Sequence, residues 1–352
     1  MAPRDYPSMS TPPHDTARSY QQIFLDRLSR RFTSRSELVR EIAQILHVGR
    51  DAVYRRLRGD TALTADELML LAETYTVDTS VPSLQQGRVP VLRYPDSRAS
   101  VQDEYDHFIH LQKRLEEMKR LPDVSFDFAT PELPMYYEMA LPTLRSFKVF
   151  MFGITTWDLD KWKGKRFSPR LVDERLHVTA EGVIRNHYGV PARELWSVGI
   201  LDITLRQVRY LDQVGRFADR DDVHRIYDEL QQIIDHLEQM ARLGRRFPLG
   251  QEPDAESPEL RVYHNELSNT SNVVLVRSPE RNFLFTTLVT PNYVATSDPD
   301  LYEEVQAWFD NLIDHGSALH SEAGKYASQY FGQLRRQVER ERERMKIRQE
   351  VF

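Results

Sequence analysis

The sequence predicts a mainly α-helical protein, in which an N-terminal helix-turn-helix bundle precedes a larger α+β body with a small antiparallel three-stranded meander. Two observations lead to this fold class. Apolar residues recur at helical spacing along most of the 352 residues. Short runs rich in β-branched and aromatic residues stand out only between 259 and 290. A chain of this length is expected to form two or three domains.

Four helices are predicted in an N-terminal domain that covers 18–77. The first is predicted from its apolar positions, and the other three have a start or stop signal: serines that can cap a helix, a glycine that can end one, and a capping box. The expected helices are 19–32, 37–46 after Ser34 or Ser36, 50–58 before Gly59, and 64–75 from the capping box Thr64–Glu67.

The body, 99–352, is expected to be helical on both sides of the meander and to follow a proline-containing linker, 78–98. Pro191 stands where the first-turn proline of a helix belongs. The predicted helices are 101–120, 135–157, 168–186, 191–215, 220–243, 299–316 and 321–348, and the predicted strands are 259–267, 272–278 and 282–290.

Composition narrows the class of protein. Hydrophobic residues make up 40% of the chain, which is typical of a folded globular protein. Cysteine is absent, which excludes disulfides and cysteine nucleophiles and indicates a reducing, cytoplasmic environment. Residues 1–17 are polar and proline-rich, so they predict a disordered leader and no secretory signal. The most apolar stretch, 133–157, carries charges and prolines, so we expect no association with a membrane.

Charge is distributed unevenly along the chain. From Arg18 to Arg58 there are ten arginines and four acidic residues, a local charge of +6 in a chain that carries −6, which leaves −12 for the remainder. This asymmetry is expected where one end of a protein meets nucleic-acid phosphate and the other does not.

The segment REIAQILHVGRDAVYRRLRG, 40–59, has the features of a helix-turn-helix. Such a motif needs a small residue where its helices touch, apolar inner faces and a polar outer face. The small residue is Ala43, and the apolar positions are Leu46, Val48, Val53 and Leu57. An arginine on the outer face can donate two hydrogen bonds to guanine. The residues expected to contact DNA are Arg50, Asp51, Tyr54, Arg55 and Arg58, together with Ser36 at the start of the preceding helix.

The spacing of these apolar positions resembles the helix-turn-helix of the Cro and phage-repressor (XRE-type) superfamily. The sequence that follows, RGDTALTADELMLLAETY, is part of the same resemblance. The resemblance covers about 20–77 and implies a transcriptional regulator that binds double-stranded operator DNA as a homodimer. The turn position usually held by glycine is His47 here, and histidine tolerates a left-handed backbone better than most residues. The whole layout also resembles, less specifically, large single-chain helix-turn-helix regulators common in Bacteroidota.

Two alternatives stand beside this interpretation. Two helices of an ordinary bundle would show the same apolar spacing, and the arginine excess favours DNA binding over that explanation. The chain could also be a protein-interaction module, such as an antitoxin or a phage-defence component, since its body has no signature of its own.

An aromatic run in the body predicts either a plain core or a pocket for a small-molecule effector. Arg145, with Lys148, would meet an acidic end of such a ligand. The other residues of the predicted pocket are Tyr136, Tyr137, Phe147, Phe150 and Trp157.

The sequence contains no Walker A, GxGxxG, GxSxG or HExxH pattern, so we expect no enzyme and no cofactor. His107 and His110 lie beside acidic residues, but no third ligand group is evident, so we expect no metal site.

Overall fold

The computed structural model describes residues 19–75, 77, 79, 90–94, 103–266, 272–320 and 324–351, with side chains only as far as 346. The chain divides into two compact units, Met1–Val91 and Leu92–Phe352. The predicted leader, 1–17, and most of the predicted linker, 78–98, lie outside the described residues.

The first unit contains the four helices that the sequence predicts. Ser34 caps the second by accepting from the backbone N–H of Glu37, and Gly59 ends the third in a left-handed conformation at φ 86°. The side chains of Thr64 and Glu67 each accept from the other's backbone N–H, which confirms the capping box. The helices are α1 (Tyr20–Ser29), α2 (Arg35–Ile45), α3 (Arg50–Arg58) and α4 (Ala65–Tyr75).

A seven-stranded mixed sheet organises the second unit. Its first three strands are parallel neighbours, and every other pairing is antiparallel. The strands are β1 (Ser125–Ala129), β2 (Ala192–Trp196), β3 (Leu260–His264), β4 (Val273–Arg277), β5 (Phe283–Val289), β6 (Asn292–Thr296) and β7 (Ser317–Ala318), in the order β6-β5-β4-β1-β2-β3-β7.

Helices cover both faces of this sheet. Alternate residues of a strand point to opposite faces, so Phe126 and Phe128 of β1 enter the larger core, whereas Ala129 enters a smaller core with Phe309. The helices are α5 (Glu104–Lys119), α6 (Met135–Glu138), α7 (Pro142–Ile154), α8 (Glu174–Tyr188), α9 (Asp202–Gln213), α10 (Asp221–Leu243), α11 (Pro299–Asp314) and α12 (Gly324–Val351). Among the described helices, α11 alone contributes to the smaller core, and α5 to α10 and α12 contribute to the larger one. Among the residues described, no helix is both long and apolar enough to cross a membrane.

The predicted fold class is wrong: the chain has an α/β fold with a seven-stranded mixed sheet, not a mainly α fold with a three-stranded meander. The antiparallel meander is β4-β5-β6, and β3, the first strand of the predicted meander, instead pairs in parallel with β2. The sequence does not predict β1, β2, β6 or the two-residue β7.

The clearest reason for this error is β2, whose sequence ARELW consists largely of good helix formers. The predicted helix 191–215 is wrong over its first part, because Pro191 precedes a strand and the helix begins only at Asp202. A strand with neighbours on both sides has every backbone group paired, and this tertiary context overrides the preference of single residues. The charged Glu194 is tolerated at the centre because the Tyr137 hydroxyl and the Trp196 indole N–H both donate to it.

Candidate functional site

The turn between α2 and α3 has the tight geometry that a helix-turn-helix requires. His47 adopts a left-handed conformation at φ 53°, which confirms that histidine can hold the position usually given to glycine. The backbone N–H of Val48 donates to the carbonyl of Ala43 over 3.0 Å, closing the end of α2. Gly49 then begins α3 directly.

The inner face of α3 is fixed in the core of the first unit. Val53 is fully buried, and Leu57, like the inner positions of α2 and the turn, packs against the same cluster. Arg56 lies 2.7 Å from Glu67 of α4 as an ion pair. The Gln21 amide of α1 donates to the carbonyls of both Arg56 and Thr61. These contacts hold α3 in one orientation between α1 and α4.

The predicted DNA-contacting residues of α3 lie together on its opposite face. They follow at spacings of one and four residues, which places them on one side of a helix, and all of them are exposed: Arg50, Asp51, Tyr54, Arg55 and Arg58. The side chains of Arg50 and Arg55 make no hydrogen bond or ion pair with any residue that the structure describes. Arg58 forms an exposed ion pair with Asp60 at 2.8 Å.

Ser36 is exposed in the first turn of α2, where free backbone N–H groups favour an anion. A carboxylate is already present there. Glu37 accepts from the backbone N–H and the hydroxyl of Thr33, and these bonds lower the pKa of Glu37. A phosphate at this helix end would meet a negative charge, so Ser36 has the weakest support among the six predicted contacts.

The basic character of the first unit is local. Residues 19–75 contain nine arginines and eight acidic residues, a net charge of +1, because four of the acidic residues lie at or after Asp60. The positive charge is therefore concentrated in α1, α2 and α3, and the outer face of α3 holds three of the nine arginines.

The predicted effector-pocket residues lie in different surroundings. Phe147 and Phe150 pack against Phe167 within the core, and Trp157 packs against His107. Arg145 is buried, and its guanidinium donates to the backbone carbonyls of Met139, His177 and Ala140. Tyr137 donates to Glu194. Tyr136 lines a cavity together with Lys148.

That cavity lies at the carboxyl end of β1. Its volume of about 20 Å³, counted as space open to the centre of a water molecule, holds about one or two waters. The residues around it come from β1 and the loop after it, α6, α7, the position before β4, the turn between β5 and β6, and β6: Phe128, Thr130, Glu132, Leu133, Pro134, Met135, Tyr136, Glu138, Lys148, Phe152, Asn272, Thr290, Pro291 and Tyr293.

A buried ion pair forms one wall of the cavity. The ammonium of Lys148 lies 3.0 Å from Glu138 and donates to Thr204 over 3.1 Å and to Gln207 over 3.3 Å. Burial raises the pKa of Glu138, and the positive charge of Lys148 opposes that rise. Two charged residues inside the most apolar stretch of the sequence are the only signal that could have indicated this pair.

Among the described residues, no three histidine or acidic side chains are grouped so that they could hold a metal ion. No protein-family model, curated protein or solved structure matches the chain. The residues of the chain itself are therefore the basis for its proposed function.

Proposed function

We propose that the chain is a DNA-binding transcriptional regulator whose α3 enters the major groove. The observation that supports this most directly is the contrast between arginines of the same helix. Arg56 is held by Glu67, whereas Arg50 and Arg55 are exposed and have no partner among the described side chains. Unpaired arginines on one exposed helix face are suited to phosphate and guanine, which both accept two hydrogen bonds from a guanidinium.

The same helix supplies both affinity and sequence preference. Contacts from arginine to phosphate position a protein on the duplex, and contacts to base edges discriminate between sequences. Arg50, Tyr54 and Arg55 occupy the first two turns of α3, which is the part of a recognition helix that reaches base edges. Each well-formed bidentate contact to guanine contributes about 1–3 kcal/mol of discrimination.

The fixed orientation of α3 supports this role. A recognition helix must already hold its side chains in position, because ordering them on binding reduces affinity. Val53 in the core, Arg56 on Glu67 and the bonds from Gln21 restrain α3 from three directions without using its outer face. Dimeric binding, which the family resemblance implies, would place two such helices on half-sites about 34 Å apart.

The proposal is tested by enriching bound genomic fragments with the purified full chain. We expect one enriched sequence with inverted-repeat symmetry, and affinity that falls steeply with salt as counterions are released from phosphate. Replacing Arg50→Ala and Arg55→Ala together should weaken binding to that sequence by at least about tenfold, from the loss of one or both base contacts.

A matched control removes two arginines elsewhere. Arg170 and Arg185 of the second unit are also exposed and without a partner among the described residues, so Arg170→Ala with Arg185→Ala should leave binding unchanged. Specific binding that survives the double replacement in α3 contradicts the proposal. A stoichiometric protein partner that co-purifies while no DNA sequence is enriched would favour the interaction module instead.

A further inference from the structure

Three polar groups around the cavity at the carboxyl end of β1 have unused hydrogen-bonding capacity. One oxygen of Glu132 accepts from the Asn272 amide over 2.7 Å, and its other oxygen has no partner among the described residues. The hydroxyls of Tyr136 and Tyr293 likewise form no hydrogen bond with a described residue. In open α/β sheets, ligands bind outside the carboxyl ends of the parallel strands, which is where this cavity lies.

The three groups lie close enough to affect one another. Burial raises the pKa of Tyr293, and the neighbouring Tyr136 and Glu132 raise it further. Burial also raises the pKa of Tyr136 to about 12. Both phenols are therefore neutral at physiological pH, and their oxygens can accept hydrogen bonds beside the carboxylate of Glu132.

The residues that line the cavity carry a net negative charge, which favours a cation, while Arg114 and Arg246 act on Tyr136 from outside the lining. The described lining contains two carboxylates, Glu132 and Glu138, and one ammonium, Lys148, which leaves a charge of −1. Lys148 already faces three acceptors, so it has no N–H left to bind an anion. Aromatic rings from Phe128 and Phe152 complete the walls, and the Phe152 ring already faces the ammonium of Lys148 at 5.8 Å from its centroid.

We propose that this cavity binds a small protonated primary amine. The three N–H groups of an alkylammonium match the three available acceptors: the free oxygen of Glu132 and the hydroxyls of Tyr136 and Tyr293. A divalent metal ion fits less well, because calcium and magnesium prefer six or more oxygen ligands. The small volume selects an amine with a short alkyl group.

The same wall of the cavity is joined to the segment 92–94, at the end of the predicted linker. Tyr293 lies in β6 between Asn292, whose amide donates to the hydroxyl of Tyr94, and Ala295, which exchanges two backbone hydrogen bonds with Arg93 at 2.7 and 2.8 Å. An amine held by Tyr293 would therefore act on the strand to which this segment is attached. Amine binding is thus expected to affect the segment 92–94, which leads to the first unit. A regulatory role for this effect rests on the proposed DNA-binding function.

The experiment titrates the full chain with methylammonium chloride and follows the ligand methyl group by saturation-transfer NMR. Sodium chloride at equal ionic strength, sodium acetate and tetramethylammonium chloride serve as comparisons. We expect saturable binding of methylammonium, none of acetate, and much weaker binding of tetramethylammonium, which has no N–H group and is larger.

Three conservative variants identify the site. Glu132→Gln removes the charge but keeps an acceptor for Asn272, and it should weaken methylammonium binding by about tenfold or more, as expected for the loss of a charged hydrogen bond. Tyr136→Phe and Tyr293→Phe should each weaken it. Tyr188→Phe is the control, because its hydroxyl also has no hydrogen-bond partner among the described atoms but lies outside the cavity lining.

Hydrogen exchange tests the connection to the linker. Methylammonium should change amide exchange in peptides that contain 90–94 and 292–296, and it should not do so in Glu132→Gln. No saturable binding, or equal binding by Glu132→Gln, overturns the amine site, and binding without altered exchange overturns the connection. Neither measurement uses DNA, so these failures are distinguishable from a failure of the DNA-binding proposal.

Discussion

Replacing Lys148→Met should destabilise the second unit strongly. Lys148 and Glu138 are each only 2% exposed, and the methionine side chain keeps most of the packing while removing the ammonium. Removing one partner of a buried ion pair typically costs about 3–5 kcal/mol, because the remaining charge stays out of water without compensation. Because Thr204 would still donate a hydrogen bond to Glu138, we expect a loss in the free energy of unfolding at the lower end of this range, about 3 kcal/mol.

The loss of stability in Lys148→Met should also depend on pH. Burial already raises the pKa of Glu138 in the folded state, and without Lys148 that pKa should rise further. A carboxylate whose folded pKa is raised costs stability at pH values above that pKa, and it regains stability as the pH falls toward the unfolded value near 4.5. The deficit of Lys148→Met relative to the natural chain should therefore shrink between pH 8 and pH 5.

Tryptophan fluorescence during urea unfolding is the appropriate assay, because all four tryptophans, at 157, 162, 196 and 308, lie in the second unit. Lys165→Met, on an exposed lysine, is the matched control and should change the free energy of unfolding by no more than about 0.5 kcal/mol. Adding Glu138→Gln to Lys148→Met should recover part of the loss, since coupled pairs show interaction energies of about 0.5–3 kcal/mol. A loss below about 1 kcal/mol, or a double variant no more stable than the single one, would refute the reasoning.

Two further predictions concern other buried positions. Val53→Ala should destabilise the first unit by about 2 kcal/mol, whereas Tyr54→Ala, on the outer face of α3, should change stability by no more than about 0.5 kcal/mol while weakening DNA binding. Amide exchange of α2 and α3 in the full chain measures the stability of the first unit in both variants. Equal protection in the two variants would contradict the assignment of Val53 to the core and Tyr54 to the outer face of α3. Burial and the nearby Arg246 hold the pKa of His187 well below its ordinary value of 6.5, so His187 is neutral in the folded state. Because His187 gains a proton only in the unfolded chain, the free energy of unfolding falls as the pH drops below 6.5. Between pH 6.5 and 5.5 the natural chain should lose up to about 1.4 kcal/mol more than His187→Gln, measured by the same tryptophan signal, and parallel pH profiles would show that His187 does not titrate in this way.

The four helices of the first unit could be predicted from the sequence because their determinants are local. Ser34, Gly59 and the Thr64–Glu67 pair act within four residues of the helix ends that they define. The left-handed turn at His47 depends on one residue and its neighbours. The exposed face of α3 follows from helical periodicity once Val53 is assigned to the core.

The body could not be predicted in the same way because its sheet depends on distant pairings. Phe126 of β1 pairs with Ala192 of β2 and with Val276 of β4, at separations of 66 and 150 residues. No local pattern specifies such pairs, and a five-residue strand is too short for alternation to distinguish it from a helical turn. Asp127 is an example, because a charged residue in the middle of a short apolar run does not indicate a buried strand. In the fold, its carboxylate accepts two hydrogen bonds from Arg193 of the adjacent strand.

The two proposed sites also differ in how far apart their residues lie in the sequence, and this difference explains why only one of them was predicted. The proposed DNA-binding face is carried by one nine-residue helix, so its members have fixed spacing in sequence. The proposed amine site brings Glu132, which follows β1, and Tyr293 of β6 together across 161 residues. Its signature is therefore visible only after folding, as acceptors left without donors beside a lysine whose own N–H groups are all used. The unused acceptors of Glu132, Tyr136 and Tyr293 around one cavity suit a ligand that supplies the missing donors.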